Sequence, residues 1–367
     1  MKRIFILFLL LLNTLLFFAQ ERILFQQNYA GYACFRIPAM VLTQKGSVLA
    51  FAEARKNSCS DTGDIDLVMR RSTDGGETWS PIMVVRDNSS NVSGNPVPIL
   101  DKTNGRIVLV YCENWGEDTE AEIIAGTSND GRRVFVIYSD TDGLSWSAPV
   151  EITKDVKKDD WTWYATGPCH GIQLQSDEYK NRLIVPSNHV RAGTNNHFSQ
   201  ILYSDDGGKS WNLGESTTIP NANESSAAEL ADGAVLLNMR NMNQQEKHRL
   251  QAQSTNGGET LSSLQHIEQL IEPVCQANIV NYTRDGKITN TLLFSNPHST
   301  VRKNMTIQIS RDGGMSWQPK VSVYAGHSAY SDMIVFRNGD VGIVYENGLE
   351  NAYEKITFLR IKSKRFK

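Results

Sequence analysis

Four arginines, six acidic side chains and one tyrosine carry the reactive potential of this 367-residue chain. Arg36 stands between Phe35 and Ile37 in the run Tyr32-Ala33-Cys34-Phe35-Arg36-Ile37-Pro38-Ala39. A guanidinium buried without a partner is costly, so Arg36 calls for an anion. Arg240 closes the apolar run 234–239 and makes the same demand. Arg55 ends Phe51-Ala52-Glu53-Ala54-Arg55, and Arg302 lies in the polar stretch 296–304. Guanidinium groups can hold a carboxylate through two parallel hydrogen bonds, which a lysine cannot reproduce. Asp61, Asp64 and Asp66 follow Arg55, in or just beyond a Ser/Gly-rich loop where an aspartate ordinarily forms a turn. Glu224 and Glu229 share the segment Asn223-Glu224-Ser225-Ser226-Ala227-Ala228-Glu229. Tyr330, in Ser328-Ala329-Tyr330-Ser331-Asp332-Met333, reads on its own as a half-buried strand tyrosine. Glu346 completes the set, in Val344-Tyr345-Glu346-Asn347-Gly348. His170 and His189 lack metal-ligand spacing. The cysteines, Cys34, Cys59, Cys112, Cys169 and Cys275, are scattered and odd in number. They form neither a disulfide framework nor a paired metal motif, and they read mainly as buried thiols, with at most two pairs among them.

A repeated turn must position these groups. Ser72-Thr73-Asp74-Gly75-Gly76-Glu77-Thr78-Trp79 returns at Ser204–Trp211 and Ser310–Trp317, and in weaker form at Ser139–Trp146 and Ser254–Leu261. Thr141 and Asn256 replace the aspartate in the weaker copies. Asp and Gly make a tight turn, because Gly accepts positive φ and the carboxylate accepts backbone N–H groups. The tryptophan is an apolar anchor. Runs rich in β-formers precede several copies (65–69, 134–138, 305–309), so each copy reads as a β-hairpin turn. Repeats of this length with four strands apiece point to propeller blades.

The pattern resembles the Asp-box, or BNR repeat, of the sialidase (neuraminidase) family. The resemblance implies an all-β fold, a six-bladed β-propeller of four-stranded antiparallel blades. It says more about fold than function, since such turns also occur in non-catalytic propellers.

The chemistry comes from the other residues, which fall in the order of a bacterial-type exo-α-sialidase. Phe35-Arg36-Ile37-Pro38 resembles the family signature whose arginine grips the substrate carboxylate. Arg55 and Asp61 fall at the places of a second substrate-binding arginine and of the general acid/base, with Asp64 and Asp66 as competitors for that role. Glu224 matches the catalytic glutamate, Glu229 being the structural decoy. Arg240 and Arg302 match the remaining clamp arginines, Tyr330 the nucleophile, and Glu346 the glutamate that holds Arg36. Trp161-Thr162-Trp163-Tyr164 reads equally as a sugar-pocket wall and as a core cluster between blades. Gly94-Asn95-Pro96-Val97-Pro98 reads as a loop without chemistry.

The implied reaction is hydrolysis of terminal α-linked sialic acids from glycoproteins, glycolipids and oligosaccharides, with retention. Sialic acid carries a carboxylate on its anomeric carbon, which suits three guanidinium groups. A neutral phenol avoids repulsion from that anion, and sialidases with a tyrosine nucleophile depart from the usual pair of carboxylates. The phenol, with an ordinary pKa near 10, needs a base. Glu224 would take its proton, while Asp61 would protonate the leaving oxygen and later activate water. No metal and no organic cofactor is called for. A non-catalytic glycan-binding propeller would be expected to lack one of Asp61, Glu224 and Tyr330. A glycosidase for neutral polysaccharide would lack the arginine triad. Transfer in place of hydrolysis leaves no mark in the residues.

Residues 1–19 stand apart. Lys2 and Arg3 precede an almost wholly apolar run ending at Ala19, which describes a secretory signal peptide cleaved near Ala19. The run is short for a membrane span of about 20 apolar residues, so no stable membrane insertion is expected after its removal. The catalytic domain is then 20–367, secreted or periplasmic. A mixed surface with net charge −3 and no basic block gives no reason to expect nucleic acid as a partner.

Overall fold

The computed structural model describes residues 21–283 and 286–367. The signal-peptide segment therefore lies outside the described residues. Their secondary structure is β-strand throughout, apart from three short helical turns. No helix among them is long and apolar enough to cross a membrane.

Consecutive strands pair as antiparallel meanders. Cys34–Leu42, Val48–Arg55, Ile65–Ser72 and Met83–Arg86 form the first. Val92–Asp101, Arg106–Asn114, Arg133–Ser139 and Val150–Glu151 form the next, joined to the first by a single parallel bridge, Ile65 to Val92. Trp161–Thr166, Leu183–Arg191, His197–Ser204 and Asn212–Leu213 follow, then Ala222–Glu229, Val235–Asn241, His248–Ser254 and Gln265–Ile271. Asn278–Asn281, Leu292–Pro297 and Lys303–Ser310 run on into the long strand Gln318–Val335. The far half of that strand begins another meander with Val341–Gly348 and Lys355–Ile361. Its outer place is taken by Arg22–Gln26, from the other end of the chain.

The cores show how the meanders are arranged. Each large apolar cluster lies between one meander and the next. Leu49, Phe51 and Met69 of the first meet Leu109, Tyr111 and Ile137 of the second. Val97 and Val134 of the second meet Tyr164 and Leu183. The series continues through Ile201 with Leu237, Leu236 with Phe294, and Ile307 with Ile343. It closes where Val344, Ile356 and Phe358 of the last meander meet Met40, Ala50 and Val68 of the first. A sheet covered on both faces needs apolar residues on both, so inner strands lose the alternation of a half-exposed strand. All eight residues of Val48–Arg55 are buried.

The repeated turns join the third and fourth strands of five meanders. In all five the opening serine Oγ accepts the backbone N–H four residues on, at 2.8–2.9 Å. Asp74, Asp206 and Asp312 each collect the hydroxyl and backbone N–H of the Ser or Thr four residues on. Thr141 and Asn256 hold the equivalent backbone N–H in the weaker copies. Trp79 meets Phe358 of the neighbouring meander edge-on, with ring centroids 5.1 Å apart. Gly76 has φ of 96°, and a Cβ there would stand 2.1 Å from the Phe358 ring. Glycine is therefore required for both conformation and space. The last meander needs no such turn, because its outer strand arrives from the N-terminal end.

One expectation is corrected. The segment 94–98 is not a loop but the middle of strand Val92–Asp101, with a register shift between Gly94 and Val97. Pro96 lies within that shift, where a bulge relieves the ladder of the N–H it lacks. The cysteines agree with the expectation of mainly buried thiols and at most two pairs: Cys34 and Cys59 form a disulfide, while Cys112, Cys169 and Cys275 are free and buried.

Candidate active site

The inner strands converge at one end of the ring on a cavity of about 340 Å³. Arg36, Arg55, Asp61, Glu224, Arg240, Arg302 and Tyr330 all line it, although they span nearly 300 residues of sequence. Arg36 and Glu224 come from innermost strands, and Tyr330 from the inner half of Gln318–Val335. Arg55 and Arg240 sit at the ends of second strands, and Arg302 just before Lys303–Ser310.

Glu346 lies beneath, with no exposed surface. Its Oε1 accepts Arg36 Nε at 3.1 Å and the Ile37 backbone N–H at 2.9 Å. Its Oε2 accepts Arg36 Nη2 at 3.3 Å and the Tyr330 backbone N–H at 3.1 Å. One carboxylate thus fixes Arg36 and the backbone under Tyr330 together. Ile37 has φ of 57°, a left-handed conformation that a β-branched residue adopts at a cost of about 1–2 kcal/mol. The bond from its N–H to Glu346 helps to hold it there.

The Tyr330 hydroxyl donates to Glu224 Oε1 at 2.6 Å. Arg240 Nη1 donates to Glu224 Oε2 at 2.7 Å and to the phenol oxygen at 3.2 Å. Two guanidinium groups stand over the Tyr330 ring, Arg36 at 5.0 Å and Arg302 at 5.7 Å from its centroid. Burial pushes the phenol well above its ordinary pKa and the Glu224 carboxylate adds to this, against Arg240, Arg302 and Arg36. The phenol is therefore protonated, and Glu224 Oε1 is placed to take its proton.

Asp61 reaches the cavity from the loop 56–64, with its side chain about two-thirds exposed. Its Oδ1 is 2.6 Å from Arg55 Nη2 and 3.8 Å from Arg36 Nη1. Enclosure in the cleft works to raise its pKa, but Arg55 and then Arg36 outweigh it, holding the carboxyl below the usual carboxylate range. Asp64 pairs with Lys56 at 3.0 Å, and Asp66 accepts the Tyr32 hydroxyl at 2.6 Å; neither lines the cavity. Glu229 takes the backbone N–H groups of Gln175 and Ser176 and lines a different cavity.

Three of the arginines have internal carboxylates: Arg36 with Glu346, Arg55 with Glu53, Arg240 with Glu224. Arg302 has none within ion-pair distance among the described residues. It donates to the Tyr353 hydroxyl at 2.6 Å and to the Val274 carbonyl. A partly buried guanidinium held only by neutral oxygens leaves the site ready for an external anion.

Sequence reasoning missed several residues here. Glu53 bridges Arg55 and the Asn95 backbone N–H, and Asn95 Oδ1 accepts Arg132 Nη2 at 2.6 Å. Arg132 stacks over Trp163 at 4.3 Å. Glu120 and Tyr353 also line the wall. Of these, Glu53 carried a signal, a carboxylate among alanines two residues from Arg55. The aromatic run divides between both of its readings: Trp163 lines the cavity, while Trp161 and Tyr164 belong to a core cluster.

Residues 46–343 match the family model of the BNR repeat-like domain. A sialidase of Bacteroides fragilis is 29% identical over 90% of this chain, which covers 62% of that protein. An exo-alpha-sialidase of Arthroderma benhamiae is 30% identical over 77% of the chain and 68% of its own length. Among solved structures, the Hadza microbial sialidase Hz136 superposes with a TM-score of 0.80 at 28% identity, over 91% of this chain and 66% of that one. The chain thus spans less than two thirds of the Bacteroides relative's length.

Proposed function

The chain belongs to the sialidase family and is built on BNR repeats, and from that premise we propose that it is an exo-α-sialidase acting on terminal α-linked sialic acids. The observation that carries this reading is the Tyr330 hydroxyl on Glu224 at 2.6 Å, between guanidinium groups that have room for a carboxylate. In this reading the sugar carboxylate binds Arg302, Arg240 and Arg36, which sets the anomeric carbon above the phenol oxygen. Glu224 takes the phenol proton as the oxygen attacks, and Asp61 delivers a proton to the departing glycosidic oxygen. Asp61 then draws a proton from water, which breaks the tyrosyl–sugar bond with net retention. Arg240, bonded to both Glu224 and Tyr330, steadies the charge that moves between them. Substrates are sialylated glycoproteins, glycolipids or oligosaccharides, recognised by that terminal sugar.

The closed series of four-stranded meanders supports a six-bladed propeller whose last blade is completed by Arg22–Gln26. We read residues 1–19 as an export signal. The Cys34–Cys59 disulfide is consistent with an oxidising compartment. An N-terminus still at Met1 in exported protein would overturn this.

Release of 4-methylumbelliferone from its α-sialoside tests the activity. Wild type should turn over, and Tyr330→Phe should lose nearly all turnover while remaining folded. An inactive folded wild type, or a near-normal Tyr330→Phe, would refute the assignment.

A further inference from the structure

Away from the catalytic cavity, three metal-ligating side chains converge at the edge of the fourth meander. His248 opens the strand His248–Ser254, His266 lies on its neighbour Gln265–Ile271, and Glu246 sits in the turn before them. Among the described residues this is the one group of three whose ligand atoms all fall within 4.8 Å of one another. His248 Nε2 is 3.0 Å from His266 Nδ1, and Glu246 Oε2 is 3.3 Å from the same nitrogen. Tetrahedral ligands bound at about 2.0–2.1 Å stand roughly 3.3 Å apart. The two separations from His266 Nδ1 are close to those of ligands around a small cation. The pairing shifts register between His248 and Arg249, and such an irregularity re-aims a side chain.

Proton counting favours the same conclusion. His266 Nδ1 faces both the His248 nitrogen and the Glu246 oxygen. If it accepts from His248, its one lone pair is spent and no proton lies between it and the carboxylate; if it donates, its one N–H serves only one of the two. A cation would use all three lone pairs at once. Glu246 Oε2 is also oriented by the Asn241 side-chain amide at 3.2 Å, the kind of outer contact that fixes a ligand. A cavity of about 150 Å³ adjoins His266 and Glu246, leaving room for water at a fourth position.

We propose that Glu246, His248 and His266 bind a divalent transition-metal ion of the zinc class. Two imidazoles with one carboxylate suit Zn²⁺ better than Ca²⁺ or Mg²⁺, which prefer all-oxygen shells. The ion would pin the turn 242–247, which follows the strand carrying Arg240, onto the strands His248–Ser254 and Gln265–Ile271. Asn241, which touches Glu246, follows Arg240 directly, and Met242 lines the catalytic cavity. Occupancy should therefore stiffen one wall of that cavity. The binding claim stands apart from the catalytic reading; only this last consequence rests on it.

The test is calorimetric titration of chelator-treated, desalted full-length protein with ZnCl2, with Co²⁺ absorption reporting geometry. Wild type should bind one equivalent, show tetrahedral Co²⁺ bands, and unfold at higher temperature with Zn²⁺ than without. His248→Ala/His266→Ala should bind none, and its unfolding temperature should not respond to Zn²⁺. His266 and Glu246 are more than a third exposed, so His266→Asn and Glu246→Gln provide folded checks if the double variant fails to fold. Both should weaken binding at least tenfold. Wild type that takes up no stoichiometric Zn²⁺, or single variants that bind it equally well, would overturn the proposal.

Discussion

Replacing Glu346 by glutamine should damage both the fold and the clamp, and the size of the effect follows from four hydrogen bonds. The carboxylate is fully buried and accepts Arg36 Nε and Nη2 together with the backbone N–H groups of Ile37 and Tyr330. Glutamine keeps one acceptor oxygen and turns the other position into a donor. With the amide oxygen at Oε1, the new NH2 faces Arg36 Nη2 and the Tyr330 N–H; reversed, it faces Arg36 Nε and the Ile37 N–H. Either orientation opposes donor to donor at two contacts and leaves a guanidinium without its buried anion. Removing one partner of a buried pair costs about 3–5 kcal/mol. That is a large share of the ~5–15 kcal/mol that typically holds a fold. Ile37 also loses a bond that holds its left-handed backbone, so the strand carrying Arg36 should shift. Two readouts separate these effects. Denaturant unfolding should report a loss of about 3–5 kcal/mol, and kcat/KM for a sialoside should fall through both KM and kcat, because Arg36 and Tyr330 are displaced together. A stability change under about 1 kcal/mol, the ordinary scale of a surface pair, with KM and kcat unaltered would refute the argument that Glu346 organises the site.

Two further outcomes follow from the geometry around Asp61. Arg55 and Arg36 hold its carboxyl below the usual range, so the protonated acid is scarce in the free enzyme. A bound carboxylate adds negative charge, competes for Arg36 and excludes water, and all three raise the Asp61 pKa. Because kcat/KM reports the free enzyme and kcat the complex, the alkaline limb of kcat should lie at higher pH than that of kcat/KM; coincident or reversed limbs would contradict this. The Cys34–Cys59 disulfide begins two residues before Arg36 and ends two residues before Asp61, and Arg55 Nη1 donates to the Cys59 carbonyl at 2.6 Å. Cys34→Ala/Cys59→Ala should lose about 3 kcal/mol of stability through the unclosed loop. It should also slow cleavage of natural glycosides more than of a 4-methylumbelliferyl sialoside, whose good leaving group needs little acid help. Equal losses on the two substrates would mean that the disulfide does not position Asp61.

Much of this was legible before any coordinates, and the pattern of what was not has a physical cause. The repeated turns are local: Ser72, Asp74, Gly76 and Thr78 satisfy one another within a few residues, so their spacing records the hairpin directly. Arg36 and Arg240 announced themselves as charges in apolar runs. Asn95 and Arg132 did not, because their meaning lies in each other and in Glu53, 42 residues from Asn95. The same holds for the disulfide, since five scattered cysteines do not name their partners, and for Glu246, His248 and His266, whose convergence depends on a cross-strand register that no periodicity encodes.

The most readable motif is also the one farthest from the chemistry. The repeated turns close the third and fourth strands of five meanders, at the rim of the ring. The reactive groups stand on or beside innermost and second strands, at one end of the sheets. A turn at the rim cannot touch the substrate, but it fixes where its hairpin begins, and its tryptophan docks that hairpin against a neighbour, as Trp79 does on Phe358. With the hairpins docked, inner strands from every part of the chain meet on the axis, and side chains as distant in sequence as Arg36 and Glu346 become hydrogen-bonded neighbours. This explains why such turns recur on propellers with different activities: they build the ring, and the ring leaves its axis free to be furnished. Here the axis holds a phenol on a carboxylate and a guanidinium, that of Arg302, with no carboxylate of its own.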